Sequence, residues 1–388
     1  MVQETRRMVA QKSAARLWSK RFTYDDWMDA QGIPVHRGYY IADLRTIELD
    51  WWELGQCRAA FIQLTGQEGV TSTRVIEIPA GGSVDVPAFA FDEIGYALDG
   101  HGLTTHELPI GGRRTFEWEP SSMFITPRRQ AYRLSNASGE KPVRLMFFNY
   151  LPMAMSVVPD ADFYFANPLA LAQDAEPDFY AEARMVKPNE VGDSAYLGKR
   201  VYWYGALFPN MAMWDRMASN AHRGAGSTSV YCQFPDTELS AHMSEFAVGT
   251  YKKAHRHGPG RAIVIPRGEG YSIMWEEGKE QVLIPWQECS LFVPPDRWFH
   301  QHFNLGAVPA RYIAMHPPMQ FHGHAEKVTD RAKDQIEYID EAPEIRERFE
   351  SELAKRGLTS ALDPRVYTER DFDWAKFAVE VHGSKVES

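Results

Sequence analysis

Residues Gly249-Thr250-Tyr251-Lys252-Lys253-Ala254-His255-Arg256-His257, followed by Pro295-Asp296-Arg297-Trp298-Phe299-His300-Gln301-His302-Phe303-Asn304, decide how this chain is read. In an extended strand, residues i and i+2 share a face at a rise of about 3.3 Å per residue, so His255 and His257 present both imidazoles to one point. The run after His257 closes in the turn Pro266-Arg267-Gly268-Glu269-Gly270 and resumes as Tyr271 to Trp275, the punctuation of short antiparallel strands. His300 returns on a later strand as a third nitrogen. Three neutral imidazoles form a set for a divalent transition metal.

The stretch has a duplicate. Displacing the chain against itself by 168 residues superposes Gly81 on Gly249, Gly100 on Gly268, Gly102 on Gly270, Trp118 on Trp286, Ser122 on Ser290, Phe124 on Phe292, Pro127 on Pro295 and Asn136 on Asn304. No gap is needed, and the shared residues are mostly turn glycines, a turn proline and large aromatics, where backbone geometry and packing restrict choice most. The chain is therefore read as all-β, with two copies of one domain. Residues 1–57 form an N-terminal arm with short helices, 58–150 the first copy, 151–225 a connector, 226–320 the second copy and 321–388 a C-terminal helical extension. At the same offset His255 falls on Pro87, His257 on Phe89 and His300 on Tyr132, so only the second copy carries the histidine set.

Composition narrows the class. A chain of 388 residues with 44% hydrophobic content can bury two ordinary cores. Its net charge of −10, with no long basic block, argues against nucleic acid as the main partner. Cys57, Cys232 and Cys289 are odd in number and scattered, which supports neither a disulfide framework nor a CxxC zinc site and fits a reducing cytoplasm. No run of apolar residues is long enough to span a membrane, and the N-terminus lacks the apolar core of a secretory signal. Arg6, Arg7, Lys12, Arg16, Lys20 and Arg21 against the single acid Glu4 read as a basic surface helix or arm in preference to a targeting segment.

Thr23 to Ala30 reads as a short helix capped by Thr23, with Asp25 and Asp26 in its first turn. Tyr39-Tyr40-Ile41, Ile47-Glu48-Leu49 and Ala59 to Ile62 are strand-like pieces. Leu151 to Asp193 has no sustained period and is read as an ordered connector on the surface. A helix starts near Pro343, carries Ile345, Phe349 and Leu353 on one face, and closes at Lys355-Arg356-Gly357; its narrow stripe is expected to pack on the barrel or on a second subunit.

The two histidine segments resemble the paired motifs of the cupin superfamily: a glycine, five residues and His-x-His, then Glu and Gly, followed by Pro-x-Gly-x-x-His-x-x-x-Asn. The resemblance implies two cupin barrels (double-stranded β-helix, jelly-roll), and leaves the N-terminal arm and the C-terminal helices outside it. One departure matters. The glutamate that usually completes the ligand set is replaced here by Arg261, and stands instead in the first copy as Glu93. Arginine stays protonated and cannot ligate a metal. The remaining three-histidine centre with Arg261 beside it favours an anionic chelating substrate.

That combination resembles the gentisate and salicylate dioxygenase class of bicupins, which carry His-Arg-His without the glutamate and a Trp-x-His-x-His-x-Asn second motif, matched here by Trp298 to Asn304. The resemblance implies Fe(II) held by His255, His257 and His300, a small aromatic 2-hydroxy acid as substrate and dioxygen as co-substrate. The class usually keeps its metal in the first cupin, whereas here the set lies in the second.

His302 shares a strand face with His300 and is read as a substrate contact or a neighbour of the ligands, or else as polar packing. Arg261 contacts the substrate or makes a structural ion pair. Gln301 points to the opposite face. His316, at the end of strand Arg311 to Met315, can reach the pocket, while Tyr251, Met274, Trp275 and Trp298 read as barrel lining. His322-Gly323-His324 imitates a ligand pair within a loop, and Gly224-Ala225-Gly226 reads as a plain turn. The leading expectation is an Fe(II) dioxygenase. The alternative is a non-redox lyase, isomerase or decarboxylase using Zn, Mn or Ni as Lewis acid, and the third is a binding bicupin without catalysis. Exposed sheet edges point to a homodimer or higher homo-oligomer.

Overall fold

The computed structural model describes residues 22–107, 112–166, 179–181, 183–186, 202–219, 223–235, 237, 239–317, 331–374, 376, 377, 380, 386 and 387. The basic segment that ends at Arg21, the His322-Gly323-His324 run and parts of the connector lie outside the described residues.

Short strands separated by glycine and proline turns assemble into two barrels, each made of a long and a short antiparallel-rich sheet. In the first long sheet the order is Val35–Gly38, Cys57–Leu64, Ser72–Ile78, Val143–Asn149, Glu93–Ala97, Met123–Thr126 and Leu207–Phe208. In the second it is Tyr202–Tyr204, Thr228–Gln233, Ser240–Phe246, Ala310–His316, Ala262–Arg267, Leu291–Phe292 and Tyr40–Ile41, with Arg184–Val186 added outside. The short sheets run Ser83–Val86, Tyr132–Asn136, Gly102–Glu107, Arg113–Trp118 and, in parallel, Ala254–His255, Phe299–Asn304, Gly270–Trp275, Val282–Trp286. Position by position the orders coincide. The molecule is a pair of cupin barrels with C-terminal helices.

The repeat reaches further than the sequence identities. Tyr40–Ile41 of the arm completes the second long sheet by pairing with Leu291–Phe292, and Leu207–Phe208 of the connector completes the first by pairing with Met123–Thr126. The Ser122 hydroxyl bonds to the Pro209 carbonyl, and Ser290 Oγ donates to Ala42 O at 2.5 Å, so the matched serines fasten the exchanged strands. Asn136 and Asn304 brace equivalent corners, donating to Lys141 O at 2.8 Å and to Val308 O at 2.9 Å. Gly102 and Gly270 allow close approach: a Cβ there would lie 2.3 Å from Ser135 O and 2.0 Å from Phe303 O.

Two local expectations change. The first helix spans Thr23–Asp29 with Phe22 as its N-cap and no side-chain cap, because Thr23 already has helical backbone. Ile47-Glu48-Leu49 is irregular, and the strand begins at Asp50. The C-terminal helix Pro343–Ala354 buries Ile345, Phe349 and Leu353. Phe349 packs its ring on Tyr251 and Phe303, which seats the helix on the second barrel. The three cysteines are buried and free. Among the described residues no helix is long and apolar enough to cross a membrane.

Candidate metal centre

His255 ends the two-residue strand Ala254–His255 and stands directly opposite His300 in the antiparallel ladder. His257 lies just past that strand and turns its ring to the same point; ligand nitrogens of the three histidines lie within 4.8 Å of one another, and all three side chains are buried. The ladder also corrects the sequence comparison. In the first barrel Tyr132 stands opposite Val86, so Val86 and not Pro87 occupies the place of His255.

The backbone sets the tautomers. His257 Nδ1 donates to Gly258 O at 2.7 Å and His300 Nδ1 to Trp298 O at 3.2 Å, which leaves each Nε2 lone pair for a ligand. Burial pulls the histidines down: His300 to about 3, His255 and His257 well below the ordinary imidazole range, with Arg223 or Arg261 and neighbouring histidines adding to the effect. Neutral rings are what coordination requires. One buried nitrogen, His255 Nδ1, has no hydrogen-bond partner among the described residues, as a coordinating nitrogen would not need one. On donor chemistry and spacing, this set fits a divalent transition metal.

His302 differs. Trp286 Nε1 donates to Ser272 Oγ at 3.0 Å, and Ser272 Oγ lies 2.8 Å from His302 Nδ1. An indole is only a donor, so the serine accepts from it and either donates its own proton to Nδ1 or accepts a second hydrogen bond from it. His302 lies outside the three-nitrogen cluster.

The pocket over the cluster is lined by Arg223, Tyr231, His242, Arg261, Ile263, Tyr312, Ala314 and His316 besides the three clustered histidines and His302. Arg261 and His302 are thus brought to the pocket, and His316 reaches it. Gln301 faces away and donates to Glu341 at 2.8 Å. Tyr251, Met274, Trp275 and Trp298 are absent from this lining. Gly224-Ala225-Gly226 is a turn with positive φ throughout.

Sequence reasoning missed Arg223, Tyr231, His242 and Tyr312. His242 Nδ1 and His316 Nε2 lie 2.7 Å apart and share one proton between them. A signal for His242 was available, since it sits one offset from Arg74 on a strand whose alternate residues face inwards. Arg223 lies outside any strand, donates to Gln335 at 3.2 Å, and had no pattern to reveal it.

The C-terminal extension supports the centre. Gln335–Ile336 adds a strand beside Ala254–His255. Asp334 accepts from Arg256 Nε at 2.9 Å and also pairs with Arg297, so one carboxylate ties both motif segments together.

No protein-family model matches the chain, and no curated protein matches it. Solved structures resemble it at low identity. They include an oxalate decarboxylase of Lactobacillus farciminis in complex with formate (12% identity, 80% of this chain, 96% of that chain, TM-score 0.46). Others are a variant of the Bacillus subtilis oxalate decarboxylase (10%, 71%, 76%, 0.43) and the 7S globulin of Momordica charantia (13%, 71%, 83%, 0.41). The two barrels here are defined by their own strand order.

Proposed function

We propose that the second barrel is the centre of a divalent-metal enzyme that takes a small anionic substrate and carries out non-redox acid–base chemistry on it, of the lyase, isomerase or decarboxylase type. The observation that carries this reading is the charge balance of the pocket: Arg223 and Arg261 line it with the histidines and tyrosines, and among the described residues no carboxylate does. His255, His257 and His300 would hold the ion. Bound there, a divalent ion supplies Lewis-acid polarisation of a coordinated carboxylate or carbonyl, and ferrous iron adds redox chemistry with dioxygen. Arg223 and Arg261 bind and orient the anion, and His302 hydrogen-bonds to it. The His242–His316 pair and Tyr231 and Tyr312 give the pocket more proton-handling groups than substrate binding alone requires.

The second reading is an Fe(II) dioxygenase of a small aromatic 2-hydroxy acid, favoured by the His-Arg-His set whose glutamate position is Arg261. One experiment separates the two. The full chain, loaded in turn with Mn, Zn, Ni and Fe(II), is offered small mono- and dicarboxylates and aromatic 2-hydroxy acids in air and under nitrogen. Turnover under nitrogen with Mn, Zn or Ni is expected. Turnover that occurs only with iron and consumes oxygen replaces the first reading by the second, and failure to bind any of the four metals removes both.

A further inference from the structure

Lys252 is 0% exposed, and its neighbours are unusual for a cation. Nζ lies 2.6 Å from Ser244 Oγ and 3.0 Å from Tyr312 OH, above the Tyr312 ring at 4.9 Å from its centroid. Ser244 Oγ is in turn tied to Thr228 O at 3.0 Å and Ser227 Oγ at 3.1 Å. No carboxylate is among the partners of Lys252 in the described residues, whereas the adjacent Lys253 pairs with Glu337 at 2.5 Å. Packing alone does not demand an amine here. The backbone of Lys252 is fixed independently, by its N–H to His302 O at 3.0 Å and by Gln301 on its carbonyl, so an apolar chain of similar length would fill the site without burying a polar head.

Tyr312 stands opposite Ser244 in the ladder and belongs to the pocket lining, beside the rings of His302 and His242. Burial pushes its hydroxyl up to about 12, and burial with the nearby Arg223 holds the Lys252 amine well below the ordinary lysine range. Burial thus favours the phenol of Tyr312 and the uncharged form of the Lys252 amine.

We propose that Tyr312 gives the proton that the substrate takes up in this pocket, and that Lys252 is the positioning residue that fixes its hydroxyl and stabilises the phenolate left behind. The proposal rests on the reading of the pocket as a metal site for an anion. In the step, the Tyr312 O–H bond breaks with its electron pair staying on oxygen, and the proton joins the lone pair that bond cleavage leaves on the substrate. The N–H of Lys252 then bonds the phenolate, and a proton from solvent restores the phenol after product leaves.

The test uses the full chain loaded with zinc and carrying isotope-labelled lysine, with Lys252→Met, Tyr312→Phe and Ser244→Ala. Lysine side-chain NMR is expected to show one amine neutral at pH 7, absent in Lys252→Met and shifted in Tyr312→Phe and Ser244→Ala. On whichever carboxylate of the panel above the wild type turns over, Tyr312→Phe lowers kcat at least about 100-fold and Lys252→Met about 10-fold, with KM held within about threefold. A structural lysine would leave kcat unchanged in the folded variant. Every lysine charged at pH 7, or wild-type kcat in Tyr312→Phe, overturns the proposal; should Lys252→Met fail to fold, these two results decide alone. If zinc does not bind the wild type, the reading of the pocket falls, while the lysine spectrum still reports on the Lys252–Tyr312 pair.

Discussion

The two barrels place different chemistry on the same three inward positions. In the first, Arg74 bonds Glu93 through its two terminal guanidinium nitrogens, Nη2 at 2.7 Å, and Asn149 donates to the same carboxylate at 2.9 Å. Strand pairing puts His242 where Arg74 stands, Arg261 where Glu93 stands and His316 where Asn149 stands. The carboxylate that pairs with an arginine in one barrel gives way to an arginine in the other, and the arginine and asparagine around it give way to two hydrogen-bonded histidines. Tyr132 stands in the place of His300, a phenol where the second barrel has a ligand nitrogen. A barrel interior can satisfy its polar groups internally and become scaffold, or leave the balancing charge to a ligand and become a site.

The sharpest way to break this comparison is to remove a ligand. His257→Ala is expected to lower metal affinity at least about 100-fold, read as loss of bound metal by elemental analysis after dialysis, whereas Tyr132→Phe in the first barrel leaves metal content unchanged. Next comes the ion pair. Arg74→Met strands Glu93 in the interior and is expected to cost about 3–5 kcal/mol in denaturant unfolding, most of it recovered when Glu93→Gln is added. Full stability in the single variant would show that the first barrel does not depend on its internal charge balance.

Acid sharpens the comparison further, because each barrel holds a buried neutral histidine. Burial lowers His106 to about 4 and His300 to about 3. Both ionise below the roughly 6.5 of a free imidazole, so their contribution is complete above about pH 6.5 and is lost as pH falls towards those values. Between pH 7 and pH 5 metal-free protein should lose on the order of 1–2 kcal/mol per histidine, and His106→Gln should remove the share of the first barrel. Stability unchanged across that range would contradict the buried neutral state. The smallest effect is expected at Asp334. Asp334→Asn frees Arg256 and Arg297 and should weaken metal binding by about 10-fold in a competition titration, with the fold intact.

The duplication was legible because its markers are backbone requirements: Gly102 and Gly270 sit against a neighbouring carbonyl, and Asn136 and Asn304 brace equivalent corners. The histidine cluster was legible for the same reason, since strand alternation fixes where His300 and His302 point. Arg223 and Lys252 were not, because both come from segments outside the long strands and reach their partners only through tertiary packing. The cap at Thr23 failed for a local reason: a threonine can open a helix as its first turn as well as cap it, and the neighbouring residues do not distinguish the two.

The exchanged strands Tyr40–Ile41 and Leu207–Phe208 carry a consequence for assembly. Each barrel borrows its edge from the segment that precedes the other, as two separate chains would if each lent an arm to its twin. Joining the halves in one polypeptide turns that mutual loan into an intramolecular event at high effective concentration, independent of dilution. Either half expressed alone would expose an unpaired strand edge, so it should pair with its own copy or aggregate.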